Sequence, residues 1–463
     1  MSADTKTMTA QAAALKADGR LEEAIALYER IVACNPISAV AEHNLASALS
    51  SAGRWREASI CMGRAFAKGI DAPESWLLRA RCDQSLGRLD EAEAGFEQAL
   101  RRRPMFYDAL NELAQLRWMR GGDLPGALAH LEAAIRQTPT DTQLLVIKAR
   151  VLEYAGRPDE AYALLSAVAR VHPRNAVVLA AGSQLAADLG KADDALALAE
   201  RAAGAAPNDP VVAVTLISAC LASGHAARAA ELAEALRQRA PNDQHAIALQ
   251  ATAWRLLGDP RYAALYDYGA FVTAETLDTP EGWPDLPAYL ADLAAALKRS
   301  HSFATHPFNQ SIRHGSQLPD VLHLDDPAAA ALPRALDGPV RRTIAKIGTG
   351  DDVLRRRNRG GYAFQGMWSI RMSAGGFHID HVHQKGWLSS ALYVEVPDRL
   401  EGKQGWLKFG EPGVRTMPAL EAEHFIEPAP GRLALFPSYM WHGTVPFTAP
   451  QPRMTVAFDM APA

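Results

Sequence analysis

The feature that most constrains this chain of 463 residues is a glycine that returns at a nearly constant interval through its first half. Six intervals of 34 residues and one of 35 separate the eight glycines, at positions 19, 53, 87, 122, 156, 190, 224 and 258. An alanine follows five residues after each of the first seven, and a proline follows seventeen residues after six of the eight. Such a period is typical of solenoids in which each helical hairpin buries its apolar face against its neighbours. An array of paired helices is therefore predicted.

The three residue types that recur in the repeat each have a structural role. Glycine makes the turn between two helices, alanine lets them pack closely, and proline ends the second helix because it lacks an amide hydrogen. In the second repeat Ile70 replaces the proline, and Gly69 and Pro73 beside it are expected to stop the helix. Apolar residues at i, i+3, i+4 and i+7 in segments such as 21–36 and 158–173 fit amphipathic helices.

With these residues in phase, the chain resembles the tetratricopeptide repeat family over residues 8–260. The resemblance implies a superhelix whose concave groove binds a protein or a peptide. An array that only packs on the rest of the chain, or that drives self-association, is the alternative, because repeat architecture alone does not fix a ligand.

The pattern changes after Gly258, where the repeat phase is lost. Helical periodicity returns at 285–299 and, as an interrupted stretch, at 326–347. Beyond residue 360, five strand-like segments alternate with turns rich in glycine and proline: 364–372, 389–396, 405–410, 432–438 and 453–460. The predicted class is α+β multidomain, an all-α superhelix followed by a helix-flanked double-stranded β-helix, or jelly roll. The expected boundaries are 1–260 for the solenoid, 261–350 for a helical connector and 351–463 for the β core.

The charge balance argues against a nucleic-acid or membrane partner. Lys and Arg total 48 against 52 for Asp and Glu, so the net charge is −4 and no global basic field is present. No run of 18 apolar residues occurs, and the start of the chain has no secretory pattern. A cytoplasmic location is expected, while the oligomeric state cannot be deduced.

Histidines concentrate in the last third of the chain, where 9 of the 14 lie after residue 300. The segment 375–383, GGFHIDHVH, holds three of them and one aspartate. Residues i and i+2 of a strand share a face, so His381 and His383 can point to one place, while His378 and Asp380 point to the other side. Further along, His442 follows a buried-looking strand.

The last strand-like segment supplies a cation on a polar face. Its positions 454, 456, 458 and 460 are apolar, which places Arg453 and Thr455 on the opposite face. Imidazoles from separate strands suit a borderline metal such as Fe(II), and a guanidinium nearby can bind a carboxylate with two hydrogen bonds. These residues predict a metal site with an acidic co-substrate.

Here the chain resembles the 2-oxoglutarate/Fe(II)-dependent oxygenases, in particular a bacterial branch in which H-x-H precedes a serine pair and a tyrosine-containing strand. The match covers residues 260–461 and rests on His381, His383, Ser389, Ser390, Tyr393, Phe436, Pro437, Ser438, His442, Arg453 and Thr455. It implies Fe(II) with 2-oxoglutarate as co-substrate and His381 and His442 as iron ligands. Arg453 would bind the distal carboxylate of 2-oxoglutarate, assisted by Thr455 and Tyr393.

One departure from the superfamily leaves two ligand sets open. Most members carry His-x-Asp, and the position that matches this aspartate here is His383. Either His381, His383 and His442 form the metal and catalytic site, with three histidines or with two and a water, or the pair His378-x-Asp380 replaces them. Spacing to the following Ser-Ser-x-x-Tyr favours the first set.

The architecture suggests hydroxylation of a side chain on a protein or peptide that the array recruits, by analogy with prolyl and aspartyl/asparaginyl hydroxylases. Two alternatives stand beside it. One is a non-catalytic adaptor whose jelly roll is a degenerate metal-binding domain. The other is a cupin, which fits Gly375-x5-His381-x-His383 and Gly431-x5-Pro437. Trp387 and Leu388 occupy the place of the cupin glutamate, however, and Arg453 would have no role.

Overall fold

A computed structural model describes residues 3–308 and 310–463. The chain forms two compact units, residues 1–139 and 140–463. Helical hairpins come first and antiparallel sheets follow, so the predicted fold class is confirmed. The domain boundaries at 260 and 350 stay predictions. Within the described ranges, no helix has the length and apolar character that a membrane span requires.

From residue 3 onward, where its description begins, the first unit consists of four helical hairpins. Their glycines at 19, 53, 87 and 122 have φ between +66° and +76°, the left-handed conformation that a turn between helices needs. The in-phase alanines, Ala24, Ala58, Ala92 and Ala127, are at most 2% exposed, as close helix packing requires. The helices are α1 Ala3–Ala17, α2 Leu21–Cys34, α3 Ala39–Ser51, α4 Trp55–Ala67, α5 Pro73–Ser85, α6 Leu89–Arg102, α7 Tyr107–Gly121 and α8 Leu124–Gln137.

The second unit continues with the same hairpins and then changes. Gly156, Gly190, Gly224 and Gly258 again have positive φ. The last hairpin is incomplete, because its second helix has only five residues. The helices are α9 Thr142–Tyr154, α10 Pro158–Val171, α11 Ala176–Asp188, α12 Ala192–Ala205, α13 Pro210–Ala222, α14 Ala226–Arg239, α15 Gln244–Leu257 and α16 Arg261–Leu265.

Three helices flank the sheets of the second unit: α17 Tyr268–Phe271, α18 Leu286–Ser300 and α19 Pro327–Ile347. The two longer ones match the segments predicted at 285–299 and 326–347. The second was expected to be interrupted, yet α19 is one continuous helix with Pro333 and Pro339 inside it. Its apolar face, including Leu332, Leu336 and Val340, is fully buried, and this packing offsets the lost amide hydrogen bonds.

In the part of the chain that the structure describes, nine strands form two antiparallel sheets, with the orders β1-β7-β4-β9-β3-β2 and β6-β5-β8. The strands are β1 Thr273–Thr276, β2 Ile312–Leu318, β3 Tyr362–His378, β4 Leu388–Glu395, β5 Leu407–Phe409, β6 His424–Ile426, β7 Arg432–Pro437, β8 His442–Thr444 and β9 Arg453–Pro462. The predicted alternation of β9 is present, since Met454, Val456, Phe458 and Met460 are 0% exposed and pack in the core. The opposite face of β9, which carries Arg453 and Thr455, therefore points away from this core and can line a site.

The hairpin glycines give a stability prediction. Gly87→Ala should lower the free energy of unfolding by about 1–2 kcal/mol, because an alanine at φ +73° is strained although no atom lies within 4 Å of the added Cβ. Gly63→Ala, in the exposed middle of α4 and also without a steric neighbour, should instead raise it by about 0.5–1 kcal/mol. Chemical denaturation followed by circular dichroism measures both, and equal effects of the two substitutions would contradict the turn argument.

Candidate metal centre

A backbone bridge brings two of the predicted histidines together. The chain leaves β3 at His378, and His381 then pairs with His442, the first residue of β8. The His381 amide donates to the His442 carbonyl at 2.9 Å, and the His442 amide donates back at 3.1 Å. Residues paired in this way project their side chains to the same side of a sheet. The two imidazole rings accordingly lie 4.2 Å apart between centroids.

His383 joins the same face from two residues further along. Its Nε2 atom lies 3.1 Å from the Nε2 atom of His381. Its ring centroid is 5.1 Å from that of His442. Among the described residues, these three histidines are the group whose ligand atoms could hold a metal ion, all lying within 4.8 Å of one another.

Each of the three rings is held through its other nitrogen. The Nδ1 atoms of His381 and His442 lie 2.8 and 2.9 Å from the carbonyl oxygens of Ile379 and Met440. The Nδ1 atom of His383 lies 2.6 Å from a carboxylate oxygen of Asp459. Carbonyl and ionised carboxylate oxygens only accept hydrogen bonds, so each Nδ1 carries the proton and each Nε2 keeps a lone pair.

The tautomers direct lone pairs toward the place where a cation would bind. The Nε2 atoms of His381 and His383 face each other at 3.1 Å and cannot hydrogen-bond to one another, because neither carries a proton. The Ser311 hydroxyl lies 3.3 Å from the His381 Nε2. Burial lowers the pKa of His381 to about 3, and it lowers the pKa of His442 well below its usual value. The rings of His381 and His442 therefore stay neutral at pH 7, which is the form that binds metals.

Asp459 is the orienting residue that sequence reasoning missed. One of its oxygens accepts from His383 and, at 2.7 Å, from the hydroxyl of Ser389 on β4. A carboxylate behind a ligating histidine fixes the ring and raises its basicity. The alternation of β9 could have indicated this residue, because Asp459 lies on the same face of the strand as Arg453 and Thr455.

The structure places the alternative pair differently. Asp380 accepts a hydrogen bond from Lys408 at 2.8 Å and lies against Gly443, where a Cβ would come within 2.6 Å of its Oδ1. Burial raises the pKa of Asp380 to about 6 although Lys408 opposes the shift. The ring of His378 lies 5.8 Å from that of His381 and is hydrogen-bonded to Ser311. The described geometry gathers the three later histidines and turns Asp380 away from them, and the ligand set itself stays a prediction.

A cavity of about 610 Å³ joins the histidines to the predicted co-substrate residues. Arg453 and Thr455 line it and are each 3% exposed. The Arg453 Nε is buried and has no hydrogen-bond partner among the described residues. Its Nη1 donates to the Met372 sulfur, a weak acceptor, at 3.4 Å. A buried guanidinium whose Nε lacks a partner is costly, and an anionic ligand would relieve that cost. Tyr393 is outside the lining; its ring lies 4.9 Å from the Arg453 guanidinium carbon.

The repeat array also reaches this cavity, which the sequence did not reveal. Tyr154, the last residue of α9, lines it together with Gln310 and Ser311. The Tyr154 ring contacts Phe308 at 5.6 Å, and the Arg313 guanidinium lies 5.2 Å from its centroid. A hairpin of the array therefore forms part of the wall of the candidate site.

Comparison with known families agrees with both halves of this description. Within residues 83–253 the chain matches family models of the tetratricopeptide repeat, over 83–142, 119–185 and 186–253. Residues 366–459 match the family described as "Putative 2OG-Fe(II) oxygenase". Both resemblances stated from the sequence are confirmed. The chain matches no curated protein.

The similar solved structures are repeat proteins. A tetratricopeptide repeat protein from Parabacteroides merdae is 18% identical, with 54% of this chain and 98% of that chain covered and a TM-score of 0.39. The C-terminal part of a repeat-containing protein from Cytophaga hutchinsonii is 16% identical, with 56% and 95% covered and a TM-score of 0.36. A thermophilic protein of this type from Thermus thermophilus is 24% identical, with 40% and 100% covered and a TM-score of 0.31.

The role assigned to Asp459 can be tested by metal titration. Asp459→Ala should weaken Co(II) or Mn(II) binding about 10- to 100-fold, because the His383 ring loses the acceptor that fixes it. Asp320→Ala is the matched control, since it removes an aspartate from the exposed pair with His323, 2.8 Å away. Calorimetric titration measures both affinities, and equal loss in the two variants would remove Asp459 from the metal centre.

A second comparison decides between the two ligand sets. His383→Ala should abolish metal binding, whereas Asp380→Ala should retain it, because Asp380 pairs with Lys408 and does not face the histidines. His442→Ala should behave like His383→Ala. If Asp380→Ala alone loses the metal in the same titration, the His378-x-Asp380 set is correct.

Proposed function

We propose that the protein is an Fe(II)- and 2-oxoglutarate-dependent oxygenase that hydroxylates a side chain of a protein or peptide recruited by its repeat array. The observation that carries the proposal is one cavity that holds three converging imidazole nitrogens and a buried guanidinium whose Nε has no partner among the described residues. The first arrangement suits a cation and the second an anion. The family match of residues 366–459 supports the same chemistry.

The residues present fit both groups. Fe(II) accepts imidazole nitrogen, and a site with three protein ligands leaves positions for other ligands. His381, His383 and His442 would hold it, each through Nε2. A dicarboxylate would bind to the Arg453 guanidinium in the same cavity, and the Thr455 hydroxyl lies on the same face of β9.

When bound, Fe(II) and 2-oxoglutarate supply the oxidation by O2 that converts a substrate C–H to C–OH while 2-oxoglutarate leaves as succinate and CO2. The chain's own contribution is orientation. Asp459 and the Ile379 and Met440 carbonyls keep the protons on Nδ1, so that all three Nε2 atoms face the cavity. Apolar side chains of the lining, among them Leu407, Phe436 and Ile370, reduce the area through which water meets the reacting centre.

The substrate class rests on the array. Tetratricopeptide solenoids present extended surfaces that bind peptides or proteins. In this chain Tyr154 of α9 borders the catalytic cavity, so a polypeptide bound along the repeats can reach the metal centre. No particular partner is identified, and the cytoplasmic location expected from the sequence stays a prediction.

Succinate formation tests the activity. Protein prepared without oxygen and loaded with Fe(II) and 2-oxoglutarate should form succinate when O2 and candidate peptides are added. If metal binds but succinate does not exceed the rate in buffer, the oxygenase proposal fails and the adaptor alternative stands.

Co-substrate binding can be measured without any peptide. Under anaerobic conditions Arg453→Met should weaken 2-oxoglutarate binding roughly 10- to 100-fold, the effect of losing a charge-assisted hydrogen-bonded pair. Metal affinity should not change. Lys385→Met is the control, because Lys385 is an exposed cation of the same cavity lining. Equal weakening by both substitutions would argue against Arg453 as the carboxylate anchor.

A further inference from the structure

The residue before the candidate ligand His442 is anchored by the last long repeat helix. The Trp441 indole nitrogen donates to the Thr252 hydroxyl of α15 at 2.9 Å, in a fully buried contact. The Thr252 hydroxyl in turn donates to the Ala248 carbonyl at 2.9 Å. The His245 ring meets Trp441 edge-on, with centroids 5.6 Å apart. The indole therefore has a fixed position set by α15.

A second anchor comes from Tyr266, directly after α16. Its hydroxyl donates to the Tyr439 carbonyl at 3.0 Å and accepts from the Trp441 amide at 3.2 Å. The Tyr439 hydroxyl donates to the Leu265 carbonyl at 3.0 Å, so hydrogen bonds run in both directions between residues 265–266 and Tyr439. Residues 439–441 are thus held at both ends by the end of the array.

The held segment is also the one that orients His442. The carbonyl of Met440, between Tyr439 and Trp441, accepts from His442 Nδ1 at 2.9 Å. If that carbonyl rotates, the His442 ring rotates with it, and Nε2 no longer faces the other two imidazoles.

We propose that Thr252 and Tyr266 are positioning residues for the metal ligand His442, so that the end of the repeat array sets the geometry of the metal centre. The inference rests on the proposed metal site and goes beyond it, because it gives the array a role other than recruitment. A purely structural role for the same bonds would affect folding stability only.

Two isosteric substitutions test this in the full-length protein. Thr252→Val removes the acceptor of the Trp441 indole together with the bond to the Ala248 carbonyl, and Tyr266→Phe removes both hydrogen bonds of the Tyr266 hydroxyl. Both substitutions nearly keep the side-chain volume. Each should weaken Co(II) affinity about fivefold or more, a change of about 1 kcal/mol, and should shift the visible absorption of the bound Co(II).

The chain offers a matched control for each. Thr215→Val removes a buried hydroxyl that donates to the Val211 carbonyl of α13 at 2.9 Å. Tyr289→Phe removes a buried hydroxyl that donates to the Ala328 carbonyl at 2.9 Å. Both controls should lose stability in thermal unfolding without any change in Co(II) affinity or absorption.

The outcomes separate the two proposals. Co(II) affinity and absorption that are unchanged in Thr252→Val and Tyr266→Phe, or changed equally in the controls, would overturn the positioning role while the metal site stands. A wild-type protein that binds no Co(II) would overturn the metal site itself. If Thr252→Val does not fold, Tyr266→Phe with its control decides alone.

Discussion

The candidate site depends on the two backbone hydrogen bonds that join His381 to His442. They fix the distance and the direction of two side chains that lie far apart in the sequence, and His383 follows from strand geometry once His381 is placed. The Nδ1 acceptors then choose the tautomer of each ring. All of these bonds form within the chain itself, so the chain's own backbone and side chains orient the three rings.

The same burial that keeps His381 and His442 neutral makes the guanidinium in their cavity costly. Neutral rings offer lone pairs to a cation, while buried Arg453 has an Nε without a partner among the described residues. A metal ion alone would add positive charge to a cavity that already contains the positively charged Arg453 guanidinium. An anion alone would be attracted by Arg453 but would leave the lone pairs facing each other. A cation together with a dicarboxylate satisfies both groups at once, which is why the two ligands are proposed as a pair.

The structural features that could be predicted from the sequence are those that depend on local backbone geometry. The hairpin turns follow from glycine at positive φ, and the buried face of β9 follows from alternation. The histidine cluster was found because two members are close in sequence and the third lies at a strand end. Asp459 was missed because its role depends on its partner His383, and Tyr154 because its position in the cavity depends on tertiary packing. The short strands β6 and β8 have too few residues for a periodic pattern.

Within the second unit, the repeats use their first helices for contacts inside the chain. Arg415 donates to the Asp188 carbonyl at the end of α11, the Met417 amide donates to the Leu221 carbonyl of α13, and Arg255 of α15 donates to the Gly410 carbonyl. The segment 410–421 therefore contacts three consecutive hairpins. At α9 the contact differs, because Tyr154 lines the cavity that holds the three histidines. Of these four helices, α9 is consequently the one at which a bound polypeptide would meet both the repeats and the candidate metal centre.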